Sequence, residues 1–196
     1  MKHFLLYPVI GVLFLFGGCG NNSPWQGDYF FSFEHDMEGW AAKGTDLDNP
    51  PVEWSIRRTQ EMVKDGNTAL KFYLSNLNDA GKIWIERSFD VKSDSLYQVN
   101  VRYSFASTDW GDMNHWTIIT GVMQGPPQSR DDLIYQGDTG NGSEADTGYK
   151  WLEKSYGFTA QSSSSGKLYV IIGIWGTWET PRTYYVDSVH VTFEEK

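Results

Sequence analysis

The strongest constraint on the fold is a strictly alternating segment at residues 97–106. Large apolar side chains stand at every second position, and polar or small side chains stand between them. A period of two is typical of a β-strand that buries one of its faces. The apolar set is Tyr97, Val99, Val101, Tyr103 and Phe105, and the other set is Gln98, Asn100, Arg102, Ser104 and Ala106. No segment shows a sustained apolar period of 3.6 residues, so we expect strands and not helices.

Eight further segments rich in β-branched and aromatic residues also predict strands. They are residues 29–33, 52–58, 69–74, 82–89, 116–123, 149–158, 167–175 and 183–193. Turn sequences such as Asp65-Gly66-Asn67 and Gly125-Pro126-Pro127 separate them, because Gly, Pro, Asn and Asp favour tight turns. This pattern predicts an all-β fold, a two-sheet antiparallel β-sandwich, and it contains no sign of a second domain.

The N-terminus has the features of an export signal. Lys2 and His3 precede an apolar run at residues 4–16, which is shorter than the roughly 20 residues that span a bilayer. The following Leu15-Phe16-Gly17-Gly18-Cys19 resembles a bacterial lipobox, although Phe16 stands where that pattern prefers Leu. The resemblance implies lipidation of Cys19, and ordinary cleavage near Gly18 is the alternative. We therefore expect a lipoprotein signal peptide at 1–18, a tether at 19–27 and one domain at 28–196.

Composition excludes several functions. The chain carries 25 acidic and 16 basic residues, a net charge of −9, which argues against a nucleic-acid partner. A single cysteine rules out an intrachain disulfide framework and a cysteine-based zinc cluster. The sequence has no nucleophile elbow, no phosphate-binding glycine loop and no zinc-protease motif. We therefore expect a domain that is not an enzyme.

Four motifs, in a fixed order, resemble the galactose-binding-like jelly roll of bacterial carbohydrate-binding modules. They are Phe31-Ser32-Phe33-Glu34 with Gly39-Trp40, then Gly66-Asn67-Thr68-Ala69-Leu70-Lys71-Phe72, then Trp84-Ile85-Glu86-Arg87-Ser88-Phe89-Asp90-Val91 with Leu96-Tyr97-Gln98-Val99-Asn100-Val101, and last Tyr185-Val186-Asp187-Ser188-Val189-His190-Val191. Together they extend over nearly all of residues 28–194. The resemblance implies a jelly-roll sandwich and a glycan ligand, but a fold of this kind hosts several functions.

The last of these motifs places a carboxylate among apolar residues. Asp187 is in phase with Tyr185, Val189, Val191 and Phe193, and a carboxylate on a core face is costly unless it is paired or coordinated. In the resembled modules this aspartate and the glutamate of the opening strand help to bind a structural Ca²⁺. The resemblance therefore implies Glu34 and Asp187 as metal ligands. The alternative is that Asp187 lies at a strand end and bonds backbone amides.

Tryptophan is the natural platform for a sugar, because flat patches of C–H bonds stack on the indole face. Among the nine Trp, Trp40 and Trp151 occupy positions that pack in the core of the resembled family. For a cleft on a sheet face, the candidate ligand-binding residues are Trp84, Arg102, Trp116 and Trp175. For the loop tips, the candidates are Trp110 and Trp178. The alternative for any one of these side chains is that it simply fills a covered face of the sandwich.

Together these patterns predict non-catalytic binding of a glycan or polysaccharide by a bacterial lipoprotein. Its membrane contact would be through the lipid on Cys19 alone, at the outer membrane or cell surface, since Gly20 and not an acidic residue follows the cysteine. Two alternatives remain open. One is a structural or adhesive surface domain with a protein partner. The other is a small glycan-active enzyme, a lyase or hydrolase, which would need two carboxylates or a Tyr/His/Arg group in a cleft.

Overall fold

The computed structural model describes residues 24–108, 116–137, 148–177 and 179–196. These residues form two antiparallel sheets packed face to face, which confirms the predicted all-β sandwich. The ten strands are β1 (Gln26–Phe31), β2 (Ala41–Thr45), β3 (Trp54–Thr59), β4 (Ala69–Leu74), β5 (Lys82–Asp90), β6 (Leu96–Thr108), β7 (Trp116–Met123), β8 (Tyr149–Gln161), β9 (Lys167–Gly176) and β10 (Arg182–Glu195). One short 3₁₀ turn, Arg130–Asp132, follows β7.

The larger sheet has the strand order β3-β4-β10-β6-β8, and β1 pairs with the second half of β10. The smaller sheet has the order β2-β5-β9-β7. Most pairs are formed by strands that are distant in sequence, so the sandwich closes by long-range backbone hydrogen bonds. We call the face of each sheet that is turned away from the other sheet its outer face.

The core lies between the sheets and follows the alternation seen in the sequence. The apolar set of β6 is buried there, and so are alternate residues of β9, Leu168, Val170, Ile172 and Ile174. Trp40 is also buried, as the sequence predicts, with its ring edge-on to Phe31. Burying so many large apolar side chains, each worth about 2 kcal/mol, drives the two sheets together.

One strand was missed by the sequence analysis. β2 has the sequence Ala-Ala-Lys-Gly-Thr, which is poor in β-branched and aromatic residues, and its residues are mostly exposed. It is held at the sheet edge by antiparallel pairing with β5, from Ala41 opposite Glu86 to Thr45 opposite Lys82. Backbone pairing with a distant strand, and not local preference, makes this segment extended.

The folded domain begins earlier than predicted, because Trp25 and Gln26 belong to it and not to a tether. The Trp25 ring meets Tyr97 edge-on at a centroid distance of 5.6 Å and packs against the core. Its backbone N–H donates to Glu195 Oε2 at 2.8 Å. Gln26 is the first residue of β1 and pairs with Glu194.

A β-bulge in β10 changes which residues face the core. The register with β6 shifts between Asp187 and His190, and Ser188 has φ of 53°. Tyr184 and Val186 point into the core before the bulge, and Val189, Val191 and Phe193 point into it afterwards. Asp187 and Tyr185 therefore lie on the outer face, which corrects the expectation that Asp187 shares the core face with Val189.

Candidate functional site

The outer face of the larger sheet carries a group of aromatic side chains near one end of the sandwich. Tyr185 of β10 is adjacent to Ala106 of β6, which in turn is opposite Trp151 of β8. Tyr73 of β4 and Tyr149 of β8 lie one register row further along. We call Tyr73, Tyr149, Trp151 and Tyr185 the aromatic face.

The aromatic face is partly open to solvent. Tyr73, Tyr149 and Trp151 are half-buried, whereas Tyr185 is buried beneath its neighbours. Ala106, the smallest residue of this row, lies between Trp151 and Tyr185 and is completely buried. Adjacent strands are about 4.8 Å apart, which places the Cα atoms of Trp151 and Tyr185 roughly 10 Å apart across β6.

Polar groups fix the inner edge of the aromatic face. The Tyr149 and Tyr185 rings meet edge-on at 5.1 Å, and the Tyr185 hydroxyl donates to Glu61 Oε2 at 3.3 Å. Lys71 Nζ donates to the same carboxylate oxygen. Burial, with smaller contributions from Tyr149 and Glu61, raises the pKa of Tyr185 to about 12, so its hydroxyl keeps its proton at physiological pH.

A loop between β3 and β4 borders this face, and we call residues 60–68 the strap. Its Lys64 backbone N–H donates to Asp187 Oδ2 on β10 at 2.9 Å. Its Lys64 Nζ lies 3.7 Å from Glu153 Oε1 on β8. The strap therefore reaches from the edge of the sheet across β10 towards β8. A groove of about 610 Å³, lined by Arg58, Thr59, Gln60, Glu61 and Thr68, adjoins the strap.

The part of the outer face beyond the strap is polar. Arg102 Nη2 lies 2.9 Å from His190 Nδ1, and His190 Nε2 lies 2.6 Å from Asp28 Oδ1. Because a guanidinium only donates, His190 Nδ1 accepts a hydrogen bond from Arg102. His190 Nε2 therefore carries the hydrogen and donates it in a hydrogen bond to Asp28. The ring of Phe30, whose residue is 57% exposed, stands beside His190. Arg102 is thus on the same sheet face as the aromatic group but in a separate, polar region.

Trp84 and Trp175 lie on the outer face of the other, smaller sheet. Trp84 is buried there with Ile119, Leu133 and Ile171, because the segment that follows β7 folds back over this face. Trp175 is only partly buried, but its ring already contacts two other side chains. Lys82 Nζ is 4.9 Å from the ring centroid, and Tyr135 meets the ring edge-on at 5.6 Å.

The structure does not bring the predicted cleft residues together. Trp116 is 1% exposed and packs against Phe105 and Tyr184 in the core, so it offers no surface to a ligand and its assignment is corrected. Trp84 is also buried and packs in a cluster with Leu133, so it offers no surface to a ligand and its assignment is corrected as well. Arg102 and Trp175 are on opposite sides of the sandwich. Trp110, Trp178 and Cys19 lie outside the described residues.

Sequence reasoning missed Trp151, which it assigned to the core. Strand β8 carries aromatic residues on both of its faces, with Tyr149 and Trp151 on one and Tyr156 and Phe158 on the other. The pairing with β6 decides between them, since Phe158 lies opposite the buried Val99 and Trp151 lies opposite Ala106 of the outer set. The polar set of β6 could have indicated this, because residues that lie opposite each other in two paired strands point to the same side of the sheet.

Glu34 and Asp187 are both held by backbone amides of the strap. Asp187 is fully buried, and its carboxylate accepts from the N–H groups of Lys64, Asp65 and Ser188. Burial raises the pKa of Asp187, although these amides act in the opposite direction. Glu34 Oε1 accepts from the N–H groups of Asn67 and Thr68. These two amides lower the pKa of Glu34.

The two carboxylates do not fit a calcium site as they are arranged. Asp187 Oδ2 and Glu34 Oε1 each accept two N–H groups, and Asp187 Oδ1 and Glu34 Oε2 each accept one more, so each carboxylate keeps only one lone pair for an ion that takes six to eight oxygens. Within the part of the chain that the structure describes, no group of three or more His, Cys, Asp or Glu residues could hold a metal ion. Asp187 thus bonds backbone amides, as in the alternative given for the sequence, but it does so at the bulge within β10 and not at a strand end.

The chemistry of the aromatic face favours binding over bond cleavage. Glycoside hydrolysis requires a carboxylic acid whose pKa is raised, so that it can protonate the leaving group. Glu61, the carboxylate bonded to Tyr185, has its pKa lowered instead, first by the hydrogen bond from Lys71. It is therefore ionised at neutral pH and can accept hydrogen bonds from hydroxyl groups.

Solved structures with a similar fold include sugar-binding and adhesive domains. One belongs to work titled "Structural basis for the promiscuous specificity of the carbohydrate-binding modules from the beta-sandwich super family". It is 15% identical with a TM-score of 0.52, and the match covers 81% of this chain and 59% of that one. Another is the K1 cleaved adhesin domain of Lys-gingipain from Porphyromonas gingivalis W83, 8% identical with a TM-score of 0.53. That match covers 84% of this chain and 97% of the adhesin domain.

These similarities establish the β-sandwich fold, which the chain shares with carbohydrate-binding modules. No protein-family model and no curated protein matches the sequence. Among the described residues there is no helix of the length and apolar character needed to cross a bilayer.

Proposed function

We propose that this protein binds a glycan or polysaccharide, without cleaving it, on the aromatic face of the larger sheet. The observation that carries the proposal is the half-buried Trp151 beside Tyr149 and Tyr185, on a sheet face whose other exposed residues are mostly polar. A rigid sheet that presents an indole to solvent loses little conformational entropy when a sugar stacks on it. A partly exposed aromatic group of this kind commonly marks a binding surface.

Polar neighbours supply the hydrogen bonds that a sugar requires. Glu61 accepts, and Lys71 and the exposed guanidinium of Arg57 donate, all at the β3–β4 side of the aromatic face. The stacking ring suits the C–H face of a pyranose, and the mixed donors and acceptors suit the hydroxyls at its edge. The similarity of the fold to carbohydrate-binding modules supports the same ligand class.

A glycan array tests this function directly. We expect the purified protein to retain at least one class of polysaccharide, because the aromatic face is preformed, and we expect the retained glycan to remain uncleaved. Affinity electrophoresis in gels that contain the retained polysaccharide gives the dissociation constant, and chromatography of the polysaccharide after incubation detects cleavage. A protein that is folded by circular dichroism but retains no glycan would overturn the proposal, and release of shorter products would replace binding with catalysis.

We further propose that the protein is held at the bacterial cell envelope by a lipid on Cys19, at the outer membrane or cell surface. This proposal is supported by the lipobox-like sequence before Cys19 and by the short apolar run that precedes it. A lipid-anchored binding domain would keep a polymeric glycan close to the cell.

Cys19→Ser tests the anchor. The variant lacks the thiol that the lipid would occupy, so we expect the protein to leave the membrane fraction and to lose labelling by a fatty acid supplied to the cells. The matched control is Ser23→Ala, which changes a nearby residue and should leave both distribution and labelling unchanged. An unaltered membrane fraction for Cys19→Ser would exclude this anchor.

A protein-binding adhesive domain is the second candidate, and one observation favours it. The match to the adhesin domain of Lys-gingipain extends over 97% of that domain. In this case the aromatic face would form the centre of a protein interface. The glycan array separates the two candidates, because a domain that binds only a protein partner would retain no sugar.

A further inference from the structure

The guanidinium of Arg58 lies against three successive backbone carbonyls. Its Nε donates to Phe33 O at 2.6 Å, its Nη2 to Glu34 O at 2.5 Å and its Nη1 to His35 O at 2.7 Å. Three carbonyl oxygens that converge on one centre of positive charge are the arrangement expected around a hard cation. Here that charge is covalently part of the chain.

The backbone bends to make this convergence possible. Phe33 has φ of 58°, a left-handed conformation that costs a non-glycine residue about 1 kcal/mol or more. Phe33 is also completely buried, so its side chain anchors the bend in the core. The strained backbone directs the carbonyls of residues 33–35 towards β3, where Arg58 lies. The bonds to Arg58 help to offset the cost of this turn.

Each of these carbonyl oxygens already accepts from Arg58, and protein donors also occupy the two nearby carboxylates. Phe33 O accepts from the Thr68 hydroxyl at 2.6 Å as well as from Arg58, so both of its lone pairs are used. Glu34 Oε1 accepts two backbone N–H groups of the strap, and Asp187 Oδ2 accepts two more. A calcium ion could bind these atoms only if several of these bonds were broken.

We propose that Arg58 performs the task that a structural calcium ion would perform in this fold, and that the protein is folded and stable without metal. The guanidinium joins the turn after β1 to strand β3. Glu34 and Asp187 hold the strap by accepting hydrogen bonds from its backbone amides. Together these groups tie the first strand, the strap and the last strand, which are distant in sequence. Because the guanidinium is covalently part of the chain, neither dilution nor a chelator can remove it. It also remains charged at all accessible pH values.

Thermal unfolding of the purified protein in excess calcium and in excess chelator tests the first half of the proposal. The expected result is the same melting temperature in both solutions and no heat of calcium binding by titration calorimetry. A melting temperature that falls by several degrees when the chelator is added would overturn the proposal, whatever the variants show.

Substitution of Arg58 tests the second half. Arg58→Gln should lower the melting temperature by about 5 °C in either solution, because three carbonyls lose a charged donor. Arg58→Lys should lower it less, since one ammonium replaces the planar fork. Arg57→Gln is the matched control, because Arg57 precedes Arg58 on the same strand but is exposed, and it should melt like the parent. Equal melting temperatures for Arg58→Gln and Arg57→Gln would overturn the assignment.

Discussion

Replacing Trp151 with alanine should weaken binding of the glycan retained by the parent protein about 30-fold, or about 2 kcal/mol. The loss is large because the indole is the largest of the partly exposed rings on this surface and the one best suited to stack on a sugar. The backbone should be unaffected, since Trp151 is half-buried on an outer face and lies outside the core. Affinity electrophoresis and isothermal titration calorimetry measure the loss, and thermal unfolding verifies that the variant is folded.

Trp175→Ala is the informative companion to this variant. Trp175 is also a partly buried tryptophan on an outer face, but it belongs to the smaller sheet and is already engaged by Lys82 and Tyr135. We expect Trp175→Ala to bind like the parent. The reverse result, with weak binding by Trp175→Ala and normal binding by Trp151→Ala, would move the site to the other side of the sandwich.

Asp187→Ala should lower the free energy of unfolding by about 3 kcal/mol, which is roughly 10 °C in melting temperature for a domain of this size. The substitution removes the common acceptor of the N–H groups of Lys64, Asp65 and Ser188 at a part-buried position. It also releases the strap from β10. Urea denaturation followed by tryptophan fluorescence gives the change in free energy.

Glu194→Ala provides the comparison, because Glu194 is an exposed carboxylate on the same strand and should change stability by no more than about 0.5 kcal/mol. The effect of Asp187→Ala should also be the same with calcium and with a chelator. An effect as small as that of Glu194→Ala would show that the strap does not depend on Asp187. An effect that disappears in the chelator would indicate that this carboxylate acts through a bound ion.

Much of the strand order was accessible from local sequence. The bounds of β4 and β7 coincide with their predictions, and β6 extends the predicted segment by one residue before it and two after it. These strands combine alternating or continuous apolar residues with clear turn sequences at their ends. β2 was not accessible, because its residues have little preference for a strand and only the distant β5 holds them extended.

The position of the aromatic face depends on pairing that local sequence does not encode. In β8 both faces carry aromatic residues, so the segment alone cannot indicate whether Trp151 or Phe158 is buried. In β10 the bulge at Ser188 moves Asp187 to the outer face, although its spacing from Val189 suggests the core. The error at Asp187 arises because one extra residue turns every following side chain to the opposite side, and the error at Trp151 arises because only the pairing with β6 decides which face of β8 is buried.

The central position of β10 has a consequence for the order of assembly. Its residues pair with β1, β4 and β6, yet all three partners are synthesised well before it. Until residues 182–195 leave the ribosome, the larger sheet lacks its middle strand, and the aromatic-rich segments β4 and β6 have no neighbour in common. Completion of the sandwich is therefore a late, concerted event that joins distant parts of the chain. Such folding is slow compared with that of helical domains, and it leaves the nascent protein dependent on chaperones for longer.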